Sequence, residues 1–289
     1  MNTIAIIGVG LIGGSFAKGI KRLYPYAKIV GYDSSADNLK LALELGLIDQ
    51  SGNSESLEEM DMILLATPVN IIVSKLPKIL DEVNENCIVL DAGSTKKEIC
   101  ETVKNHPKRR NFLACHPIAG TEFSGPSAAF DGLYDAKTNI ICEVEKTAFK
   151  LHEKALNLFQ KLGMRIRYMN PEAHDKHIAY VSHLSHISSF MLGKTVIEEE
   201  QNERDIFDMA GSGFESTVRL AKSSPDMWTP IFEQNKKNIV KSLDEYIQNL
   251  ESFKLLMQES NFDGIHKQMN NTNKIKQILK GISLSKTSK

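Results

Sequence analysis

Residues 3–8, TIAIIG, form a short apolar run that ends on a glycine and gives way to LIGGSFAKGI, whose apolar side chains recur with helical period. The junction sets Gly8, Gly10 and Gly13 at the spacing G-x-G-x-x-G, directly after a strand and at the start of a helix. No other stretch restricts the fold as much. In such a βα turn the first glycine permits the tight turn, the second lets the backbone approach a pyrophosphate, and the third lets helix and strand pack closely. Unpaired N–H groups at the helix start, with Leu11 and Ile12 in the first turn, and the positive end of the helix dipole then face the phosphates. The next strand ends in VGYD, placing Asp33 20 residues beyond Gly13. A carboxylate there accepts hydrogen bonds from a ribose 2′-hydroxyl and repels a 2′-phosphate, so NAD is expected over NADP. The alternative for the three glycines is an ordinary βα turn.

The alternation continues to about residue 166. Apolar runs at 3–8, 28–33, 62–68, 87–93, 112–117, 138–144 and 165–169 are separated by helical patterns near 11–23, 36–46, 69–80, 95–105 and 147–163. Several runs are apolar at successive positions, which suits parallel strands covered on both faces. After Pro171 strand-like alternation disappears, and helical periodicity covers 172–200, 203–210, 214–222, 226–259 and 263–281. The pattern predicts an α/β fold: an N-terminal Rossmann-type doubly wound sheet over residues 1–168, binding NAD, followed by an all-helical domain over 169–289 for substrate binding and dimerisation.

Composition excludes more than it selects. With 35 basic and 36 acidic residues the formal net charge is −1, so no basic excess points to nucleic acid. No window reaches the roughly 18 apolar residues of a membrane span. The first apolar run is too short for a secretory leader, and Cys87, Cys100, Cys115 and Cys142 form no C-x-x-C pair. Buried reduced thiols and a cytoplasmic protein are expected.

Ligands of open α/β sheets bind beyond the carboxyl ends of the strands. Two polar turns fall there: Ala66–Thr67–Pro68 and DAGSTK, residues 91–96. Thr67 and Pro68 are assigned to the cofactor, and Ser94 to cofactor and catalysis; a helix cap is the alternative for Thr67 and for Ser94. The next strand ends in CHPIAGTEFSG, residues 115–125. His116 has the proton affinity to take a proton from an alcohol as hydride leaves its carbon. Ser94, ending the neighbouring strand, is placed to orient that ring. Thr121 and Glu122 lie in a Gly/Ser-rich loop able to close over a ligand.

The segment HDKHIAYVSHLSH brings four histidines together, His174, His177, His183 and His186. His183 and His186 share a helix face, but no carboxylate stands at the companion positions of a zinc site, so no metal is expected. His174 and His183 are read as hydrogen-bond donors to an anionic substrate; His177, Asp175 and Lys176 are read as solvated. In GSGFESTVRLAKSSPDMW, residues 211–228, Arg219 is read as a carboxylate anchor, with a salt bridge to Asp205 or Asp208 as the alternative.

These stretches, IIGVGLIGGS, DAGSTK…HPIAGTEFSG and HDKHIAYVSHLSH…GFESTVRLAKSSPDMW, together resemble the prephenate dehydrogenase family of tyrosine biosynthesis. The likeness spans nearly the whole chain in order. It implies NAD-dependent oxidative decarboxylation of prephenate to 4-hydroxyphenylpyruvate. In relatives the histidine matching His116 contacts the ring hydroxyl, and the serine matching Ser94 bridges it and the nicotinamide. The arginine matching Arg219 binds substrate carboxylate, the positions of His174 and His183 line the pocket, and Glu122 matches a loop acid gating access. The resemblance implies a homodimer, and the apolar stripe Ile231, Ile239, Leu243, Tyr246, Leu250 and Leu255 is more than one helical lobe needs. A chain of 289 residues is expected to have no room for a fused mutase or a C-terminal regulatory domain, so any inhibition by tyrosine is expected to act in the cleft. Glu215 departs from the pattern: some relatives carry a basic residue there, and an acid suits the amino group of arogenate. Prephenate is favoured, with arogenate dehydrogenase, then a β-hydroxyacid dehydrogenase, then a non-catalytic NAD sensor as alternatives.

Overall fold

The computed structural model describes residues 2–52, 57–203 and 205–280. Strands β1 (Thr3–Ile7), β2 (Lys28–Tyr32), β3 (Gln50–Ser51), β4 (Met62–Leu65), β5 (Ile88–Asp91), β6 (Phe112–Pro117), β7 (Thr138–Cys142) and β8 (Arg165–Tyr168) form one sheet in the order β3-β2-β1-β4-β5-β6-β7-β8. Helices α1 (Leu11–Leu23), α2 (Ala36–Glu44), α3 (Val69–Glu82), α4 (Lys97–Thr102) and α5 (Phe149–Lys161) connect them. Ile4 and Ile6 belong to one core layer with Phe16, Ile20 and Leu133, while Ala5 and Ile7 belong to the opposite layer with Ile72 and Leu76. Both faces are therefore covered, which is why the strands read as unbroken apolar runs.

The strand order reverses between β1 and β4, opening a crevice beyond their carboxyl ends. The predicted runs overshoot at that edge: β4 stops at Leu65 and β5 at Asp91, and the polar residues that follow leave the sheet as turns. The two-residue β3 has too little sequence to show a pattern. β7 runs antiparallel to β6, against the parallel pairing expected for it. Between them lies only a 3₁₀ turn, Pro126–Ala128, and a parallel return needs a crossover of a dozen or more residues, usually a helix. α5 supplies that crossover for the next pair, and β8 is parallel to β7.

Beyond Tyr168 the described residues are helical: α6 (Pro171–Ile178), a π turn (Ala179–His183), α7 (Leu184–Glu203), α8 (Ser212–Val218), α9 (Pro225–Gln234), α10 (Lys236–Gln258) and α11 (Phe262–Thr272). Asn170 starts α6, its Oδ1 accepting the Ala173 N–H at 2.7 Å, with Pro171 in the first turn. The periodicity over 172–200 is not one helix, because the π turn interrupts it. That over 226–259 breaks at Asn235, and 203–210 yields only a 3₁₀ turn, Phe207–Met209. α11 stops at Thr272, a turn follows at 273–274, and helix resumes over 275–280; the expected end at 281 lies outside the described residues.

The chain divides into two compact units, Met1–Lys236 and Lys237–Lys289. In the first, α6 packs on α4 and α9 on α3, so the early helices of the C-terminal half share a unit with the sheet. In the second, Asn261 caps α11 by accepting the Gly264 N–H at 2.9 Å. All four cysteines are free and buried. Among the described residues no helix is long and apolar enough to cross a membrane.

Candidate active site

The three glycines do three different things. Gly8 has φ +94°, and a Cβ there would lie 2.5 Å from the Ala66 carbonyl oxygen. At Gly13 a Cβ would lie 2.0 Å from the Gly8 carbonyl oxygen, so helix and strand meet backbone to backbone. Gly10 differs: the nearest atom to a Cβ is the Gly125 nitrogen at 3.9 Å, so protein does not fill the space above it. No side chain caps α1, and the N–H groups of its first turn, from Leu11 and Ile12 on, remain available. The Asp33 carboxylate is drawn to this turn, accepting from the Val9 N–H at 3.1 Å, the Ser35 N–H at 3.0 Å and Asn38 Nδ2 at 3.3 Å. Thr67 Oγ1 is buried with no protein partner, and α3 starts from Pro68 without a side-chain cap, so Thr67 is not serving as one. An open cradle at a helix start, a carboxylate beside it and an orphaned hydroxyl across the crevice fit an adenine dinucleotide.

Beside this crevice a chain of side chains runs into the helical segment. His116, near the end of β6 and 8% exposed, has Nδ1 at 2.7 Å from His174 Nε2. His174 Nδ1 in turn lies 2.7 Å from Asp175 Oδ1. The Asp175 carboxylate also accepts the Lys96 N–H at 2.7 Å and the Lys97 N–H at 3.0 Å, holding the start of α4. These contacts assign the tautomers. A carboxylate only accepts, so His174 Nδ1 carries hydrogen and its Nε2 accepts; His116 Nδ1 must then donate, leaving His116 Nε2 with a lone pair. Burial, the His174 ring and the Lys96 ammonium push His116 well below the usual histidine range. His174 is lowered by burial, against the pull of Asp175. His116 is therefore a neutral base, its ring held in one orientation.

Asn235 secures the next ring. Its Nδ2 donates to the Asp175 carbonyl at 2.7 Å and lies 3.2 Å from His183 Nδ1. His183 therefore accepts at Nδ1 and carries hydrogen at Nε2, an atom that is buried with no protein partner. Burial lowers its pKa to about 4. Trp228 lies edge-on at 5.8 Å between ring centroids, its Nε1 also without a partner. His186 instead turns its Nδ1 to the Ser182 carbonyl at 2.9 Å and stacks on Trp228 at 3.5 Å. His183 and His186 thus do not act as a pair.

Arg219 is not enclosed in an apolar helix as its sequence context implied; its side chain is 48% exposed on a 3₁₀ turn. It pairs with neither Asp205 nor Asp208 but with Glu122, NH1 to Oε2 2.7 Å. The carboxyl of Glu122 sits below its ordinary range because its own backbone N–H and the Arg219 guanidinium favour the anion. The loop carrying Glu122 and the exposed Thr121 is bracketed by Gly120 (φ +146°) and Gly125 (φ +80°), glycines with open space around them. Glu215 is exposed and lies 4.0 Å from Lys222.

One further expectation changes. Asp175, read as solvated, is 3% exposed and anchors the histidine chain. His116 Nδ1 is bonded to His174, and Ser94 sits half-buried in the turn after β5. His177 and Lys176 are exposed as read. Sequence reasoning also missed Asn235 and Lys96, since nothing in their local pattern links residue 235 to 183 or residue 96 to 175.

Residues 16–168 match the family profile described as prephenate dehydrogenase, nucleotide-binding domain, and residues 170–271 match prephenate dehydrogenase, dimerization domain. The chain belongs to the prephenate dehydrogenase family. It is 29% identical over 272 residues to the prephenate dehydrogenase of Bacillus subtilis, covering 91% of this chain and 72% of that protein. The crystal structure of Aquifex aeolicus prephenate dehydrogenase in complex with hydroxyphenyl propionate and NAD+ superposes with a TM-score of 0.84 at 32% identity, covering 96% of this chain and 98% of that one. Synechocystis arogenate dehydrogenase superposes with a TM-score of 0.75 at 27% identity, covering 96% of this chain and 99% of that one.

Proposed function

We propose that this chain is an NAD-dependent prephenate dehydrogenase that converts prephenate to 4-hydroxyphenylpyruvate, CO2 and NADH in tyrosine biosynthesis. The observation that carries the reading is the chain Asp175–His174–His116, ending in a neutral base beside the dinucleotide turn of a family member. The cofactor residues are Gly8, Gly10, Leu11, Ile12, Gly13, Asp33, Thr67, Pro68 and Ser94. When bound, NAD supplies the hydride acceptor. His116 Nε2 takes the proton of the ring hydroxyl as hydride leaves the same carbon. The bond to the ring carboxylate breaks, its electrons complete the aromatic ring, and CO2 departs. His116 then returns its proton to the phenol oxygen. While it is charged, His174 Nε2 accepts from its Nδ1–H with Asp175 behind. Such a base is worth about 10²–10⁴-fold.

Arg219 receives a substrate carboxylate in place of Glu122, which retreats with its glycine-bracketed loop. Thr121, on the same loop, contacts the substrate once the loop closes over it. His174 orients the base, and His183 offers its unpartnered Nε2–H to the substrate. Residues 1–168 form the NAD-binding segment and 169–289 the substrate-binding and dimerisation segment. The α10 face bearing exposed Val240, Ile247, Leu250 and Phe253 joins two copies as a homodimer. The four buried reduced thiols suit the cytoplasm. Arogenate is the second reading, supported by Glu215 and by the likeness to an arogenate dehydrogenase. The test follows NADH formation with each substrate for the wild type and His116→Asn. The variant should lose about 10²–10⁴-fold in kcat while keeping NAD affinity. No turnover of either substrate by the wild type refutes the assignment, and faster turnover of arogenate reverses the choice.

A further inference from the structure

Against the histidine chain lies a charge that the reaction as described does not use. Lys96 has no exposed side-chain surface and forms an ion pair with Asp91, which is equally buried. The Asp91 carboxylate is clasped further by the Gly93 N–H and the Cys115 N–H, each at 2.9 Å, and Cys115 immediately precedes His116. The backbone N–H of Lys96 donates to Asp175 at 2.7 Å. One residue thus reaches both ends of the chain: its main chain holds the carboxylate that orients His174, and its ammonium is tied to the strand that carries His116.

A buried ion pair is a poor way to stabilise a fold, since well-packed apolar residues of similar volume usually do as well or better. Its ties to both ends of the histidine chain point to another use. The groups facing the two rings are Asp175 from α6, His183 from the π turn, Lys96 from the turn after β5 and Asp91 from β5 itself. At both His116 and His174 the Lys96 charge opposes protonation.

We propose that Lys96 is a positioning residue for the proton transfer: its buried ammonium keeps the His116–His174 pair in the neutral, proton-accepting form, and its backbone N–H sets Asp175. The proposal rests on His116 as the base. Its test is a titration of His116 by ¹⁵N-histidine NMR in the ligand-free protein, together with the pH profile of kcat/KM for prephenate. Lys96→Met leaves the Asp91 carboxylate buried and unpaired, so the deciding variant is Asp91→Asn/Lys96→Met, which removes both charges. The His116 midpoint should rise by about one pH unit, the size expected of a nearby charge. The acid limb of kcat/KM should move with it, and above that limb activity should return to within about threefold of the wild type. The single variant, where it folds, should shift further in the same direction. An unchanged His116 midpoint in the double variant overturns the proposal. Because the NMR titration needs no turnover, it decides the role of Lys96 even if prephenate proves not to be the substrate.

Discussion

His183 makes the stability of this protein depend on pH below neutrality. In an unfolded chain its imidazole protonates near pH 6.5; in the fold, burial delays protonation to about pH 4. Between those values the unfolded state binds more protons than the folded one, so stability rises with pH and falls as pH is lowered. The loss begins as pH drops through 6.5 and is complete near 4. At 1.36 kcal/mol for each unit of pKa difference, the full loss is about 3 kcal/mol, of which about 2 kcal/mol falls between pH 7 and pH 5. The ring is 0% exposed, so solvent screening does not reduce that figure. The comparison is with His183→Asn, which keeps a polar side chain opposite Asn235 but cannot charge. Urea unfolding at several pH values should show the wild type losing about 2 kcal/mol more than the variant between pH 7 and pH 5. Equal losses would mean that His183 ionises in the fold as readily as outside it, and the enclosure by Asn235 and Trp228 would not be what sets its state.

Gly10→Ala should fold with unchanged thermal stability, since its Cβ meets nothing closer than 3.9 Å, yet bind NAD at least about tenfold more weakly because the methyl occupies the pyrophosphate approach; a matching loss of melting temperature would make that glycine structural. Asp175→Asn removes an acceptor from the His174 tautomer lock, and kcat should fall about 10²-fold or more with KM nearly unchanged; a kcat within about threefold of the wild type would free His116 from that chain.

The parts of the site legible in the sequence are those whose physics is local. Gly8 and Gly13 are forced by a positive φ and by backbone contact inside one turn, and Asp33 follows from the length of a βαβ unit. His116 was legible because a strand's carboxyl end is also a place in the fold. The antiparallel β7 was not drawn, although no helical period stands between residues 118 and 137 to carry the crossover that a parallel return needs. Asp175 was misread for a different reason. Its burial comes from two N–H groups about 78 residues away, at the start of α4, and its own neighbours Lys176 and His177 are exposed.

The π turn shows how far such non-local geometry reaches into the chemistry. His174 and His183 are nine residues apart, and in an unbroken α-helix, at about 100° per residue, that spacing sets two side chains on opposite sides. A continuous helix over 172–200 would therefore bury one ring and expose the other. The structure inserts five residues with i→i+5 bonding, Ala179–His183, and the wider turn removes part of that rotation. Both rings end up fully buried, with Asn235 bridging the Asp175 carbonyl and His183. The local departure from helical geometry is thus what lets one segment supply both a support for the base and a second donor to the cleft. Helical period extended through HDKHIAYVSHLSH would pair His183 with His186, whereas the His183 ring is held by Asn235 and His186 stacks on Trp228.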